Sequence, residues 1–88
     1  MTERRVEIRN RMGMHARPAA EFVKLAARFD SEIRLSKDGL EVNGKSIMGV
    51  LMLAAEHGSE LVIQGEGNDA EAAVEALADL VDRGFGEV

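Results

Sequence analysis

Cysteine, tryptophan and tyrosine are absent from the 88 residues, and proline occurs once. Without cysteine there is no disulfide framework, no thiolate nucleophile and no thiolate metal site. Three phenylalanines are the whole aromatic content, so the core must be aliphatic and rich in alanine. A chain this short buries only about 60–65% of its unfolded surface, and a large enclosed pocket is not expected. Positive charge is also scarce: 11 Lys and Arg stand against 16 Asp and Glu, a net charge of −5. Binding to a phosphate backbone needs a basic footprint, so nucleic acid is not an expected partner. No apolar run approaches the roughly 20 residues of a membrane helix. None follows the opening Met1-Thr2-Glu3-Arg4-Arg5 either, so neither membrane insertion nor a secretory leader is expected. The remaining balance, 45% hydrophobic and 31% charged, suits a soluble globular protein. The expectation is one cytoplasmic domain over residues 1–88, monomeric and without cofactor.

The apolar positions alternate between two periods. Arg5-Val6-Glu7-Ile8-Arg9 has the polar–apolar alternation of a half-buried strand. Residues 10–14, with Asn10 and Gly13, read as a loop. From Ala16 the period changes: Ala19, Phe22, Val23, Ala26 and Phe29 line one face of a helix, with Pro18 in its first turn. Ile33 and Leu35 mark a second strand, Asp38-Gly39 a hairpin turn, and Leu40-Glu41-Val42 a third strand. After the Asn43-Gly44 turn, Ser46 is a natural N-cap for an apolar run from Ile47 to Ala55, ended by Gly58. Leu61-Val62-Ile63 reads as an inner strand because it is continuously apolar. Asn68 and Glu71 have capping-box spacing ahead of a last helix, whose face is Ala70, Ala73, Val74, Leu77 and Val81 and which Gly84 closes. The order β-α-β-β-α-β-α predicts an α+β fold with helices on one face of a mostly antiparallel sheet.

His15 stands at the junction of the Gly13 loop and the first helix, where Ser, Thr, Asp or Asn would cap better. The positive end of the helix dipole and Arg17 both disfavour further positive charge on its ring, and a neutral imidazole is a competent nucleophile. Free N–H groups at the helix start, together with Arg17, suit an anion attached there. Local features alone weigh this against a solvent-exposed loop histidine with no role. His57, just before Gly58, reads as a surface or capping residue at a helix C-terminus. Neither histidine has carboxylates at ligand spacing, so no metal is expected. Gly39 to Ser46 matches the G-x-x-x-x-G-K-[ST] pattern of a P-loop letter for letter. Strand alternation at Leu40-Glu41-Val42 and the lack of a preceding long parallel strand make it a hairpin followed by a helix cap. An acyl-carrier reading fails as well, because Asp30-Ser31-Glu32 lacks the Leu of an attachment site and precedes a strand. The second helix is apolar on both sides: Val50, Leu53 and Ala54 against Ile47, Met48, Leu51 and Met52. One set must be exposed, and an exposed Met-rich patch marks a protein partner.

Gly13-Met14-His15-Ala16-Arg17-Pro18-Ala19, followed by Val42-Asn43-Gly44-Lys45-Ser46-Ile47-Met48-Gly49-Val50, resembles HPr, the histidine-containing phosphocarrier of the bacterial phosphoenolpyruvate-dependent phosphotransferase system. The likeness spans essentially the whole chain, including the Gly84-Phe85-Gly86-Glu87 ending. It implies an open-faced β-sandwich with a four-stranded antiparallel sheet and three helices on one face. It further implies that His15 accepts a phosphoryl group from enzyme I, through Nδ1, and passes it to an enzyme IIA, with Arg17 supporting the phosphate. Ser46 corresponds to a seryl site used by an HPr kinase/phosphorylase. Met14, Ile47, Met48, Leu51 and Met52 are then the expected docking surface. A phosphohistidine formed this way makes the protein a carrier rather than an enzyme. The alternative within the family is a purely regulatory, nitrogen-related or transport-less protein, although regulators that lack the histidine are set apart by His15 itself.

Overall fold

The computed structural model describes residues 1–87. Among these, the order is β1 (Thr2–Glu7), α1 (Ala16–Ala26), β2 (Glu32–Lys37), β3 (Leu40–Asn43), α2 (Ile47–Met52), β4 (Glu60–Glu66) and α3 (Ala70–Asp82), then a 3-10 turn at Gly84–Gly86. The described strands form a four-stranded antiparallel sheet in the order β1-β4-β2-β3. The helices cover one face, giving the open-faced sandwich that the order of elements predicts.

Alternation along the strands decides which side chains meet the helices. Val6, Ile33, Leu35, Leu61 and Ile63 point inward and are 0–5% exposed. They join Ala19, Phe22 and Ala26 of α1 and Ala73, Val74, Leu77 and Val81 of α3 in one core. Between Leu61 and Ile63, Val62 faces the open side and is only half-buried. β4 is an inner strand as expected, but its apolar run is not covered on both faces. The β2–β3 hairpin turns on Asp38 (φ 50) and Gly39 (φ 86), the pair of left-handed residues that a type I′ turn requires.

Four boundaries differ from the sequence expectation. α1 ends at Ala26, and Phe29, expected on its apolar face, lies in the turn that follows, where the Arg28 and Phe29 N–H groups bond three residues back to Leu25 and Ala26. β1 begins at Thr2 and ends at Glu7 because its ladder partner β4 sets the register, Thr2 opposite Gly65 and Glu7 opposite Glu60. Ile8 remains buried and bonds the backbone of Ser59 and Gly58 instead. α2 stops at Met52 rather than running to Ala55. The Leu53 and Ala54 N–H groups bond three residues back, to Val50 and Leu51, and Ala54 then turns to φ 49. That turn leaves Ala54 exposed, contrary to its expected place beside Val50 and Leu53, and frees the Ala55 carbonyl for the loop before α1. Gly58 therefore shapes a Glu56–Ser59 turn, closed by Ser59 N–H to Glu56 O at 2.9 Å, instead of a helix end. His57 lies exposed in that turn and caps no helix. Last, the expected capping box at Asn68 is replaced by Asp69 in the N-cap position, with no side-chain bond to α3. Its carboxylate accepts instead from the Ser31 hydroxyl and the N–H groups of Asp30 and Ser31, tying α3 to the start of β2. Those bonds, led by the Ser31 hydroxyl and opposed by partial burial, hold the Asp69 carboxyl below its ordinary range.

Candidate functional site

The loop entering α1 is built by Gly13. Its φ of 72 is open to glycine, and a Cβ there would come within 2.6 Å of the Ala55 carbonyl. The close approach lets the Met14 N–H bond Ala55 O at 2.8 Å, so the residues after α2 brace the residues before α1. This geometry turns Met14 inward. At 5% exposure it belongs to the core, and its expected role in a docking surface is corrected. Gly13 demands the tight turn, the turn fixes the Met14 amide on Ala55, and the side chain is directed away from solvent.

His15 follows as the N-cap of α1, in extended backbone (φ −84, ψ −170) and with no side-chain cap bond. Its carbonyl accepts the Ala19 N–H at 3.0 Å. Pro18 occupies the first turn and has no N–H to offer, so the amides of Ala16 and Arg17 are the open donors at this helix start. The imidazole is partly exposed (36% for the side chain). Nδ1 has no hydrogen-bond partner among the described residues. Arg17 is exposed, and no ion pair of its guanidinium is formed among the described residues. A helix start with open amides, a partly exposed ring and an exposed guanidinium thus fall within three consecutive residues, a combination suited to holding an anion bonded to the ring.

Two residues of this site were read from the sequence only as a loop former, Asn10, and as part of the C-terminal ending, Glu87, and neither was expected at His15. Glu87 sits with its carboxylate 3.2–3.3 Å from His15 Nε2. Asn10, 1% exposed, donates from Nδ2 to Glu87 Oε1 at 3.0 Å and to Gly13 O at 2.7 Å. Partial burial works against ionisation of Glu87, but bonds from His15 and Asn10 and the charges of His15 and Arg17 hold its carboxyl below the ordinary range. The sequence reading surrounded His15 with positive influences only; the fold adds an anion. A buried Asn in a loop was visible as a turn former, whereas the C-terminal contact spans 72 positions and no local pattern reports it.

Ser46 is the N-cap of α2, as expected, and its Oγ accepts the Gly49 N–H at 3.1 Å. It remains partly exposed. Beyond it the helix divides as the wheel predicts: Val50 and Leu53 are buried, while Ile47, Met48, Leu51 and Met52 are 41%, 67%, 36% and 66% exposed. Met12, in the loop before His15, is 73% exposed and adds an apolar side chain that the sequence reading did not single out. No cluster of three or more candidate metal ligands occurs among the described residues, nor is any described helix long and apolar enough to cross a membrane. Between Gly39 and Ser46, Leu40–Asn43 is a strand, in keeping with the hairpin reading of the P-loop-like stretch.

Residues 2–83 match the family described as the PTS HPr component phosphorylation site. The phosphocarrier protein HPr of Treponema pallidum is 49% identical over 87 residues, 99% of each chain. The HPr-like protein Crh of Halalkalibacterium halodurans is 48% identical over 83 residues, covering 94% of this chain and 99% of the relative. Among solved structures, HPr-C-His from Thermoanaerobacter tengcongensis superposes with a TM-score of 0.96 at 46% identity, over 100% of this chain and 99% of the other. A dimer of HPr from the same organism gives 0.79 at 47% identity, over 99% and 100%.

Proposed function

The chain belongs to the HPr family of phosphocarrier proteins, and from that premise we propose that His15 is its phosphoryl acceptor in a relay from enzyme I to enzyme IIA proteins. The observation that carries this is the uncapped start of α1. A histidine there contributes no cap bond, yet its ring is held at Nε2 by Glu87 and sits at a helix start whose Ala16 and Arg17 amides have no intrahelical partner. In a merely structural role the position would favour Ser, Thr, Asp or Asn. A phosphoryl group on Nδ1 meets the helix N-terminus and the Arg17 guanidinium, both of which favour negative charge. Ile47, Met48, Leu51 and Met52 supply the docking surface. Given the net charge of −5, partners are recognised by this patch and local arginines rather than by bulk attraction.

Ser46 is the proposed regulatory site for an HPr kinase/phosphorylase. Its hydroxyl accepts a bond without spending its own proton and lies beside the exposed Ile47 and Met48. A phosphate there brings about −1.5 to −2 charges to the edge of an apolar docking face. The proposed setting is a cytoplasmic monomer; a single species of 9.6 kDa by light scattering supports it, and a dimer, as in one of the solved relatives, counts against it.

A second reading is a purely regulatory protein that uses Ser46 without relaying phosphate; the likeness to Crh of Bacillus subtilis, which its solved structure names a catabolite repression HPr, supports a regulatory role. The relay is tested by labelling the protein with phosphoenolpyruvate and enzyme I, removing enzyme I, and adding an enzyme IIA. Loss of label from this protein with gain on enzyme IIA supports the relay. Label that enters and never leaves to any enzyme IIA favours the regulatory reading.

A further inference from the structure

We propose that Met48 and Met52 form a peroxide-sensitive modification site: oxidation of their thioethers to sulfoxides blocks partner docking and leaves the fold and His15 intact. The inference rests on the reading of the exposed side of α2 as the docking surface, and names a regulation of that surface. The chain has five methionines and no cysteine. The thioethers are therefore its only sulfur atoms, and no thiol competes with them for an oxidant.

The fold sorts these sulfurs by access. Met12, Met48 and Met52 are each at least 66% exposed, against 5% for Met14. Met48 and Met52 stand four residues apart in α2, so their side chains are neighbours on one helix face. Ile47 and Leu51, also exposed, extend that face with side chains that donate no hydrogen bond. Met12 precedes Gly13, whose backbone packs against Ala55 and Glu56 just beyond α2, so a third exposed sulfur lies close to the same helix. α2 itself is held by the Ser46 cap and by burial of Val50, and neither contact uses Met48 or Met52. Met1 is exposed as well, but far away. It precedes Thr2 at the Gly65 end of β1, whereas the chain leaves for His15 from Glu7 at the Glu60 end. The six residues of β1 put about 20 Å between those ends.

The step is a two-electron oxygen transfer from hydrogen peroxide. A lone pair on Sδ attacks one peroxide oxygen; the S–O bond forms as the O–O bond breaks. The departing hydroxide takes up the proton of the transferred oxygen. Each methionine thus gives one sulfoxide and one water, the sulfur oxidised and the peroxide reduced. An apolar side chain becomes a polar hydrogen-bond acceptor. Water satisfies that oxygen on the free protein, but a docked partner must strip the water away, and Ile47 and Leu51 offer no donor in its place. A phosphate on Ser46 would stand at the edge of this face, whereas the sulfoxides stand within it. A thiol-dependent sulfoxide reductase reverses the change.

The test treats the full chain with hydrogen peroxide, removes the peroxide, and then adds enzyme I and phosphoenolpyruvate. Peptide mass mapping should find one added oxygen on each of Met12, Met48 and Met52, with Met14 spared and the amide spectrum still that of a folded protein. The KM for this protein in the enzyme I reaction should rise about tenfold, the scale of burying an unpartnered polar group, while kcat is retained. Sulfoxide reductase should bring the KM back. The Met48→Leu/Met52→Leu double variant, compared with its own untreated form, still gains oxygen at Met1 but should lose most of the response. Leucine replaces methionine at nearly constant volume; should the double variant nevertheless not fold, each single variant is read in the same way. An unchanged KM in wild type carrying both sulfoxides would overturn the inference. So would an equal rise in the leucine variants, a rise that comes only with oxidised Met14 and a lost fold, or an unmodified Met48 and Met52 beside an oxidised Met1. If untreated wild type is not phosphorylated by enzyme I, the relay reading falls and takes this inference with it. That outcome is distinct from a protein that works equally well before and after treatment.

Discussion

The three described helices begin in three different ways. α2 is closed by its own N-cap, Ser46 Oγ taking the Gly49 N–H. At α3 the N-cap is Asp69, a residue equally able to cap, but its carboxylate is turned outward to Ser31 and Asp30. α1 begins at a histidine that caps nothing, followed by a proline that removes one donor. A missing N-cap bond costs a helix about 1 kcal/mol. Where a small marginal domain leaves such a bond unmade, the open donors mark where a ligand can sit. Ser46 shows the contrary case: its helix start is already satisfied, and it is the hydroxyl rather than the amides that remains usable.

The largest effect expected from disturbing this contrast is at His15. His15→Ala removes no cap bond and, of side-chain contacts, the partly exposed one with Glu87, so its melting temperature should stay within a few degrees of wild type while phosphoryl acceptance from enzyme I is lost entirely. Histidine phosphorylation persisting in that variant would transfer the assignment to His57. Arg17→Ala should slow transfer without abolishing it, by about 1.5–3 kcal/mol in activation free energy, because the amides of Ala16 and Arg17 still hold the anion. An unchanged single-turnover rate removes the guanidinium from the site. Met48→Asp, at a side chain 67% exposed, should leave stability within about 0.5 kcal/mol. Enzyme I binding should weaken by about 2 kcal/mol if Met48 lies centrally in the interface; titration calorimetry reads this directly.

Ser46 and Asp69 give the smaller effects and sharpen the comparison of helix starts. Ser46→Asp keeps an oxygen able to cap Gly49, so thermal stability should hold, whereas the added charge beside Ile47 and Met48 should slow His15 phosphorylation. Loss of both would make the hydroxyl structural, and loss of neither would make it only a cap. Asp69 tests the third helix start through pH. Its carboxyl is lower in the folded than in the unfolded protein, so its stabilisation is full above the unfolded value. It fades as pH falls below about 4, towards the folded value. Asp69→Asn should therefore show a shallower drop in melting temperature over that acid range, and an identical slope would show that the Ser31 contact has no linkage to folding.

Local periodicity was enough to order the elements, place Ser46 as a cap, and divide α2 into buried Val50 and Leu53 against exposed Met48 and Met52. It failed where tertiary contacts override local pattern. The apolar letters continue to Ala55, but α2 stops at Met52 because the Ala55 carbonyl is needed by Met14. Met14 looks like an exposed loop methionine until that same bond turns it inward. Asn68 and Glu71 have the spacing of a cap, yet Asp69 takes the position and serves β2. His15 and Arg17 were legible as a site because helix-start chemistry is local. Asn10 and Glu87 were not, since their meeting depends on the C-terminal turn folding back across the whole chain.

The central claim is that the open start of α1 makes His15 a phosphoryl acceptor. It is tested most directly by intact mass after incubation with phosphoenolpyruvate and enzyme I, run in parallel on wild type and His15→Ala. The account predicts one acid-labile phosphate on the wild-type protein and none on the variant. A wild-type protein that stays unmodified beside an active enzyme I, or a variant that gains the same acid-labile phosphate, would contradict it.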